Sequence, residues 1–132
     1  MSLRLESLIK SKQTFDRFRA HMQDDQDTTA AIKAFEMCYE LCWKIMKRIL
    51  VQDGEEITTS QSIFRKAALK GLIDDPELWF EFQDKRNLAV HTYNEENIEP
   101  VTACFYRFSV AVDILITRIQ DLLKSDGSRY DL

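Results

Sequence analysis

Residues that interrupt a helix are almost missing from this chain, and that limits its fold more than any other feature. Its 132 residues include only Gly54, Gly71, Gly127, Pro76 and Pro100. Inside a helix, glycine costs roughly 1 kcal/mol and proline roughly 3 kcal/mol relative to alanine. A chain with so few of either is expected to form long, uninterrupted helices. No segment alternates apolar and polar residues for long enough to predict a strand. The expected fold class is all-α.

Apolar spacing divides the chain into elements. Residues 3–22 place Leu5, Leu8, Phe15, Phe18 and Met22 mostly three or four positions apart. The polar stretch "QDDQDTT" breaks that pattern and offers Asp27 or Thr28 as the cap of a second helix. That helix is expected to run to about Val51 and to stop at Gly54, with Ile32, Phe35, Cys38, Tyr39, Cys42, Ile45, Met46 and Ile49 on one broad face. "TTSQSIFRKAALKGLI" reads as a short third helix, capped by Thr or Ser, with Gly71 just past its end. Asp75, Pro76 and Glu77 open a fourth: a cap, a first-turn proline whose missing N–H costs nothing, and an acid near the positive end of the dipole. A last long helix is expected to begin near Glu99 and Pro100 and to carry Val101, Cys104, Phe105, Phe108, Val112, Leu115, Ile119 and Leu122. Residues 125–132 read as a loose tail. The expected architecture is an antiparallel four-helix up-and-down bundle with an additional short helix, a single domain over residues 1–124.

Composition narrows the function. With 45% hydrophobic and 30% charged residues, the chain is expected to be a soluble domain that buries a core without disulfides or metal. It has no signal-like start and no apolar run of about 18 residues, so the cytoplasm is the expected compartment and no membrane is expected as a partner. The three cysteines fit no disulfide or zinc framework. Cys38 and Cys42 fall on one helical face and read as small buried hydrophobes. No metal site and no cofactor are expected. The net charge of -4 argues against a protein that grips nucleic acid by bulk charge, so such chemistry needs a local site.

The stretch "DKRNLAVHTYNEE", residues 84–96, looks least like packing. At about 100° per residue, Asp84, Asn87 and His91 share one side of a helix. Arg86, Val90 and Tyr93 share another, which also carries Trp79 and Phe82. That second face draws Arg86 and Tyr93 toward the interior or a partner surface, where an arginine requires an anion or a carboxylate. Arg86 and His91 share no face of an ideal helix. Either the helix unwinds near His91, as "TYNEEN" allows, or the two meet across a symmetric interface. Plainer readings exist: Tyr93 packing with its hydroxyl on a neighbour, and His91 capping the last carbonyls. Arg17 and His21 repeat the pairing by accident.

"RNLAVHTY" resembles the Arg-Asn-x3-His-x-Tyr signature of the HEPN superfamily, in the subgroup encoded beside minimal nucleotidyltransferases. "IKAFEMCYELCWKIMK" (32–47) is similar to that subgroup's second helix, with Phe35, Glu36, Tyr39, Glu40, Leu41, Trp43 and Lys44 in place. "IFRKAALKGLIDDPELWFEFQDKRNLAVHTYNE" (63–95) follows its third and fourth helices, including Gly71, Leu72, Ile73, Trp79, Asn94 and Glu95. Residues 1–30 and the tail match only in helical character. The resemblance implies a helical homodimer, long described as the substrate-binding subunit of a nucleotidyltransferase and more recently as a metal-independent ribonuclease toxin. It implies a partner nucleotidyltransferase, the antitoxin, that transfers adenylate to the motif tyrosine. Carried onto this chain, the nuclease set is Arg86, Asn87 and His91, and the modified residue is Tyr93.

These residue types suit the implied chemistry. Cleaving RNA without a metal needs a base for the 2′-hydroxyl, an acid for the leaving oxygen and positive charge on the phosphorane. Histidine, with an ordinary pKa of about 6.5, can take or give a proton near neutrality. Arginine stays protonated and offers a planar fork to phosphate oxygens. Asn87, one turn before His91, can orient either group. A two-fold dimer placing two copies of His91 in one cleft would supply both acid and base. Charge is the chief objection, because residues 74–99 carry eight acids against Lys85 and Arg86. Lys44, Lys47 and Arg48, on one face of the second helix, are the candidate RNA contacts, with Arg65, Lys66 and Lys70 as possible additions. An ordinary solvated face is the competing reading for these six. The rival function is a non-catalytic adaptor that presents a substrate to the nucleotidyltransferase. A plain helical dimerisation module would leave the polar motif unexplained.

Overall fold

The computed structural model describes residues 4–132, so Leu3, the expected start of the first helix, lies outside the described residues. Six α-helices follow in order: α1 (Leu5–Arg19), α2 (Asp25–Gln52), α3 (Ser60–Lys70), α4 (Pro76–Ala89), α5 (Ile98–Thr102) and α6 (Phe105–Asp126). The described residues form no strand. The four longer helices alternate in direction. A short connection, residues 20–24, joins α1 to α2, and the two line one groove together, so they run oppositely. The order reverses again where Lys12 reaches Asp113 and Asp16 reaches Ser109 between α1 and α6. The start of α2, at Asp25 and Thr28, lies beside Glu95 and Ile98, just past the end of α4. The result is a four-helix up-and-down bundle, with α3 and α5 as short additions.

Local chemistry sets the helix ends. Gly71 closes α3 at φ 90°, a left-handed conformation that glycine adopts without strain. Thr59 and Ser62 satisfy each other's backbone N–H groups at its start. Asp75 accepts from the Glu77 N–H at 2.9 Å, with Pro76 in the first turn. The cap of α2 is Asp24, which accepts from the Asp27 N–H at 2.8 Å. Asp27 and Thr28, the expected caps, therefore sit inside the first turn, because an equally good acceptor stands three residues earlier. The expected last helix is two helices, α5 and α6, which with the short 3-10 turns flanking them (Glu95–Thr102 and Phe105–Arg129) meet at 41°. At the joint the Cys104 N–H turns to the Val101 carbonyl at 3.2 Å.

Phe108 of α6 sits at the middle of the core. Its ring meets Phe15, Phe35, Trp79 and Phe82 at centroid distances of 5.4, 4.8, 6.1 and 5.1 Å, so all four long helices converge on it. Edge-to-face pairs of this kind add about 0.5–1.5 kcal/mol each beyond area burial.

Residues 125–132 are held against the body rather than loose, a correction with a clear cause. Tyr130 is buried, and its hydroxyl donates to Asp53 while accepting from Lys70 at 3.0 Å. Arg48 donates to the Asp131 carbonyl at 2.6 Å and to its carboxylate at 2.9 Å. The tail's own tyrosine and acid supply partners that its polar composition concealed. No single helix among the described residues is long and apolar enough to cross a membrane.

Candidate active site

The site is built where α4 stops. The helix ends at Ala89, and the backbone then folds into a tight turn. The His91 N–H donates to the Leu88 carbonyl at 2.9 Å, and Thr92 Oγ1 donates to the Ala89 carbonyl at 3.1 Å. Asn97 Nδ2 donates to the His91 carbonyl at 2.9 Å, tying the turn to the segment that follows. Of the two geometries open from the sequence, this is the unwound one. It places His91 and Tyr93 on the surface, Tyr93 at 77% exposure.

Of the two placements open to Tyr93, the interior and a partner surface, the interior is not the one it takes, although Trp79 and Phe82 on the nominally shared face are buried. The shared helical face of Arg86 and Tyr93 is lost as well, because no helix joins them past Ala89. Tyr93 instead meets His91. Its hydroxyl lies 3.2 Å from His91 Nδ1, and the rings stand nearly perpendicular with centroids 5.8 Å apart.

Arg86 stays on the helix, one turn beyond Phe82, and is half-buried. Its Nε is buried and has no hydrogen-bond partner, the one side-chain nitrogen or oxygen among the described residues in that condition. A buried donor left unmatched costs about 1–3 kcal/mol, so it needs a reason to persist. No hydrogen bond or ion pair joins Arg86 to His91 or Tyr93 among the described residues. Asn87 is exposed, with no side-chain hydrogen bond among the described residues.

Near Arg86 stands Tyr39 of α2, which apolar periodicity marks only as part of a buried face. It is 3% exposed. Burial pushes its hydroxyl pKa well above the ordinary value, the Arg86 charge pulls the other way, and Cys42 and Asp84 push it further up. The hydroxyl is therefore a protonated donor throughout the neutral range. The available signal was a hydroxyl on an otherwise apolar stripe. Asn97, which anchors the His91 carbonyl, was also missed, since nothing in "EEN" marks which polar group the turn uses.

The basic residues of α2 and α3 are mostly engaged. Lys44 pairs with Glu40 at 3.7 Å, Lys47 lies over the Trp43 ring at 5.9 Å, and Arg48 holds Asp131. Arg65 faces Glu77 at 3.9 Å, Lys66 faces Glu55 at 3.0 Å, and Lys70 faces Asp53 at 2.6 Å. All three cysteines are buried and free. Burial raises the Cys42 thiol, with Cys38 adding to it, and pushes Cys104 up to about 11, so neither is a ready nucleophile. Among the described residues no three His, Cys, Asp or Glu side chains are grouped to hold a metal.

The all-helical bundle and the relatives it matches define a class, the HEPN proteins of the nucleotidyltransferase substrate-binding kind. The chain belongs to the family described as nucleotidyltransferase substrate binding protein like, whose model matches residues 3–125. A curated relative from Haemophilus influenzae, named "Probable ribonuclease HepT", is 34% identical over 119 residues, covering 85% of this chain and 80% of its own length. A solved structure from the same species aligns with a TM-score of 0.82 at 28% identity, covering 89% of this chain and 99% of that one. It was described as revealing the fold of a substrate binding domain of a nucleotidyltransferase. A Thermus thermophilus protein shares the fold, with a TM-score of 0.76 at 24% identity over 84% of this chain and 97% of its own.

Proposed function

We propose that this protein is the toxin-type, metal-independent endoribonuclease subunit of a two-component HEPN–nucleotidyltransferase system. It acts as a homodimer and is silenced when the partner nucleotidyltransferase adenylylates Tyr93. The observation that carries the reading is the buried, unpartnered Nε of Arg86 on the helix that delivers His91. A phosphodiester oxygen is the acceptor that nitrogen lacks. Arg86 holds the phosphate and offsets the charge of the phosphorane, while His91 from each subunit serves as base or acid. Asn87, exposed one turn before His91, orients the phosphate or the imidazole.

The His91–Tyr93 contact supports a direct route to inhibition. Adenylylation replaces the tyrosine O–H with a phosphodiester, removing a hydroxyl that now lies against Nδ1 and setting an anion beside the imidazole. That anion stabilises the imidazolium and occupies space the substrate phosphate needs. Lys44, Lys47 and Arg48 are proposed as RNA contacts, Lys47 the most available of them because among the described residues it lies over the Trp43 ring and pairs with no acid. Cutting them back to alanine should reduce the salt slope of RNA binding by about one for each phosphate no longer neutralised.

The test is cleavage of RNA by purified wild-type protein and His91→Ala protein in EDTA. Cleavage by the wild type alone supports the nuclease. Equal cleavage by both, or none by either, favours the second reading, a non-catalytic adaptor that presents substrate to the nucleotidyltransferase. The description of the solved Haemophilus influenzae relative favours that alternative. With the partner and ATP present, Tyr93→Phe protein should go on cleaving RNA under conditions that silence the wild type.

A further inference from the structure

We propose that the Tyr39 hydroxyl is a second phosphate-binding group of this site, donating to the same phosphodiester that Arg86 holds. The inference rests on the nuclease reading above and adds to it a residue outside the Arg-Asn-x3-His-x-Tyr strip. Tyr39 is 3% exposed, yet its hydroxyl makes no hydrogen bond to any described residue. It is not sealed away, since among the described residues the only buried side-chain polar atom without a partner is Arg86 Nε. A nearly buried tyrosine ordinarily finds a partner for its O–H. Here two neighbouring polar groups, on two different helices, both lack one.

Their placement follows from the bundle. α2 and α4 pack against each other, with Tyr39 on one and Arg86 on the other. The charge of Arg86 is felt at the Tyr39 oxygen, the strongest influence on it after burial. Both groups are donors at neutral pH: the guanidinium offers N–H, and the hydroxyl stays protonated. They do not satisfy each other, and one anion with two oxygens satisfies both. The ring of Tyr39 is fixed by its packing on Phe64, with centroids 6.5 Å apart, so the donor is held in place before substrate arrives.

The experiment measures binding of a fluorescent 2′-O-methyl oligoribonucleotide, which carries phosphodiesters but no attacking 2′-hydroxyl. Four full-length proteins are compared by anisotropy: wild type, Tyr39→Phe, Arg86→Met and the double variant. Tyr39→Phe should bind about tenfold more weakly, the scale of one hydrogen bond to a charged group. The double variant should be no weaker than Arg86→Met alone, because the two donors share one ligand. Melting temperature should hold or rise in Tyr39→Phe, since the lost hydroxyl had no partner in the protein. Wild-type affinity in Tyr39→Phe, with Arg86→Met still weakened, overturns the role of Tyr39 and leaves the nuclease reading standing. A fall in melting temperature for Tyr39→Phe marks the hydroxyl as structural and also overturns it. Arg86→Met binding like wild type, or no binding by wild type, removes the phosphate site altogether and the nuclease reading with it.

Discussion

Replacing Arg86 by methionine should make this protein more stable and abolish the RNA cleavage proposed for it. The stability change can be worked from the structure. Methionine is a flexible apolar side chain able to fill the space of the arginine stem, and its helix propensity is close to that of arginine, so packing and backbone terms nearly cancel. The gain is relief of the buried Nε, an unmatched donor costing about 1–3 kcal/mol. The lower part of that range applies, because Arg86 as a whole is only half-buried. Against it stands the loss of a cation in the last turn of α4, worth about 0.3–1 kcal/mol at the negative end of the helix dipole. Taking about 1–2 kcal/mol from that range, the net runs from about zero to a stabilisation of about 1.5 kcal/mol, and for a chain of this size each kcal/mol moves the melting temperature by roughly 3–5 °C. Urea and thermal unfolding of the two proteins, beside cleavage of a labelled RNA in EDTA, measure both halves. A variant less stable than wild type by about 1 kcal/mol or more would refute the reasoning, since relief of an unmatched donor cannot destabilise. Arg86 would then be a structural brace whose partner is the fold itself.

Three further outcomes are expected. Lys12, only 4% exposed, is bridged to Asp16 and Asp113, while Asp16 also accepts from Arg19 and Ser109 at 2.9 and 2.7 Å. Asp16→Ala, which strips that hub and leaves the buried ammonium half-paired, should cost about 2–4 kcal/mol in urea unfolding, whereas Lys12→Met should cost about 1 kcal/mol or less. The acid limb of stability should be steep. Burial raises the carboxyls of Asp16 and Asp53, but hydrogen bonds from Lys12, Ser109 and Arg19 to the first, and from Lys70 and Tyr130 to the second, hold both below the ordinary 3.8. The Arg107 hydrogen bond does the same for Glu81 against 4.5. Their contribution is therefore whole above about pH 5 and is lost as pH falls below about 4, and Asp53→Asn should flatten that loss in a pH series of melting temperatures. Asn97→Ala, by releasing the His91 carbonyl, should lower kcat about tenfold while leaving affinity for the 2′-O-methyl oligonucleotide unchanged. An equal loss of affinity would mean the turn also shapes the phosphate site.

The sequence carried the bundle because its punctuation is chemical and local. Asp75 with Pro76, Thr59 with Ser62, and Gly71 each act within a few residues, so their roles could be read from spacing alone. It misled where two local solutions compete or where the partner is distant in the chain. Asp24 outcompetes Asp27 as a cap, though both suit the role. The break at Cys104 has no glycine or proline at the joint itself, and Phe105 and Phe108 just past it pack on Phe15 of the distant α1. The tail is anchored by Asp53 and Arg48, more than seventy positions away. In the candidate site, Arg86, Asn87, His91 and Tyr93 were identifiable as residue types, but their arrangement was not. Periodicity extended past Ala89 gave Tyr93 the wrong neighbour.

That failure explains how the site is organised. Had α4 continued through Tyr93, the imidazole would have faced one side with Asn87, and the tyrosine another with Arg86, on a single rigid rod. Ending the helix at Ala89 separates the two functions mechanically. Arg86 remains on the rod, one turn from Phe82 in the fully packed core, so its position is set by the whole bundle. His91 and Tyr93 sit instead on a surface turn held by hydrogen bonds from the His91 and Asn94 N–H groups, Thr92 and Asn97. A rigid cation suits a group that must hold a phosphate in one place. A tethered but solvent-facing imidazole and phenol suit groups that must reach protons on a substrate, or accept an adenylate from another protein, without disturbing the core. On this arrangement the adenylate proposed for Tyr93 would fall on the part of the site whose movement costs the fold least.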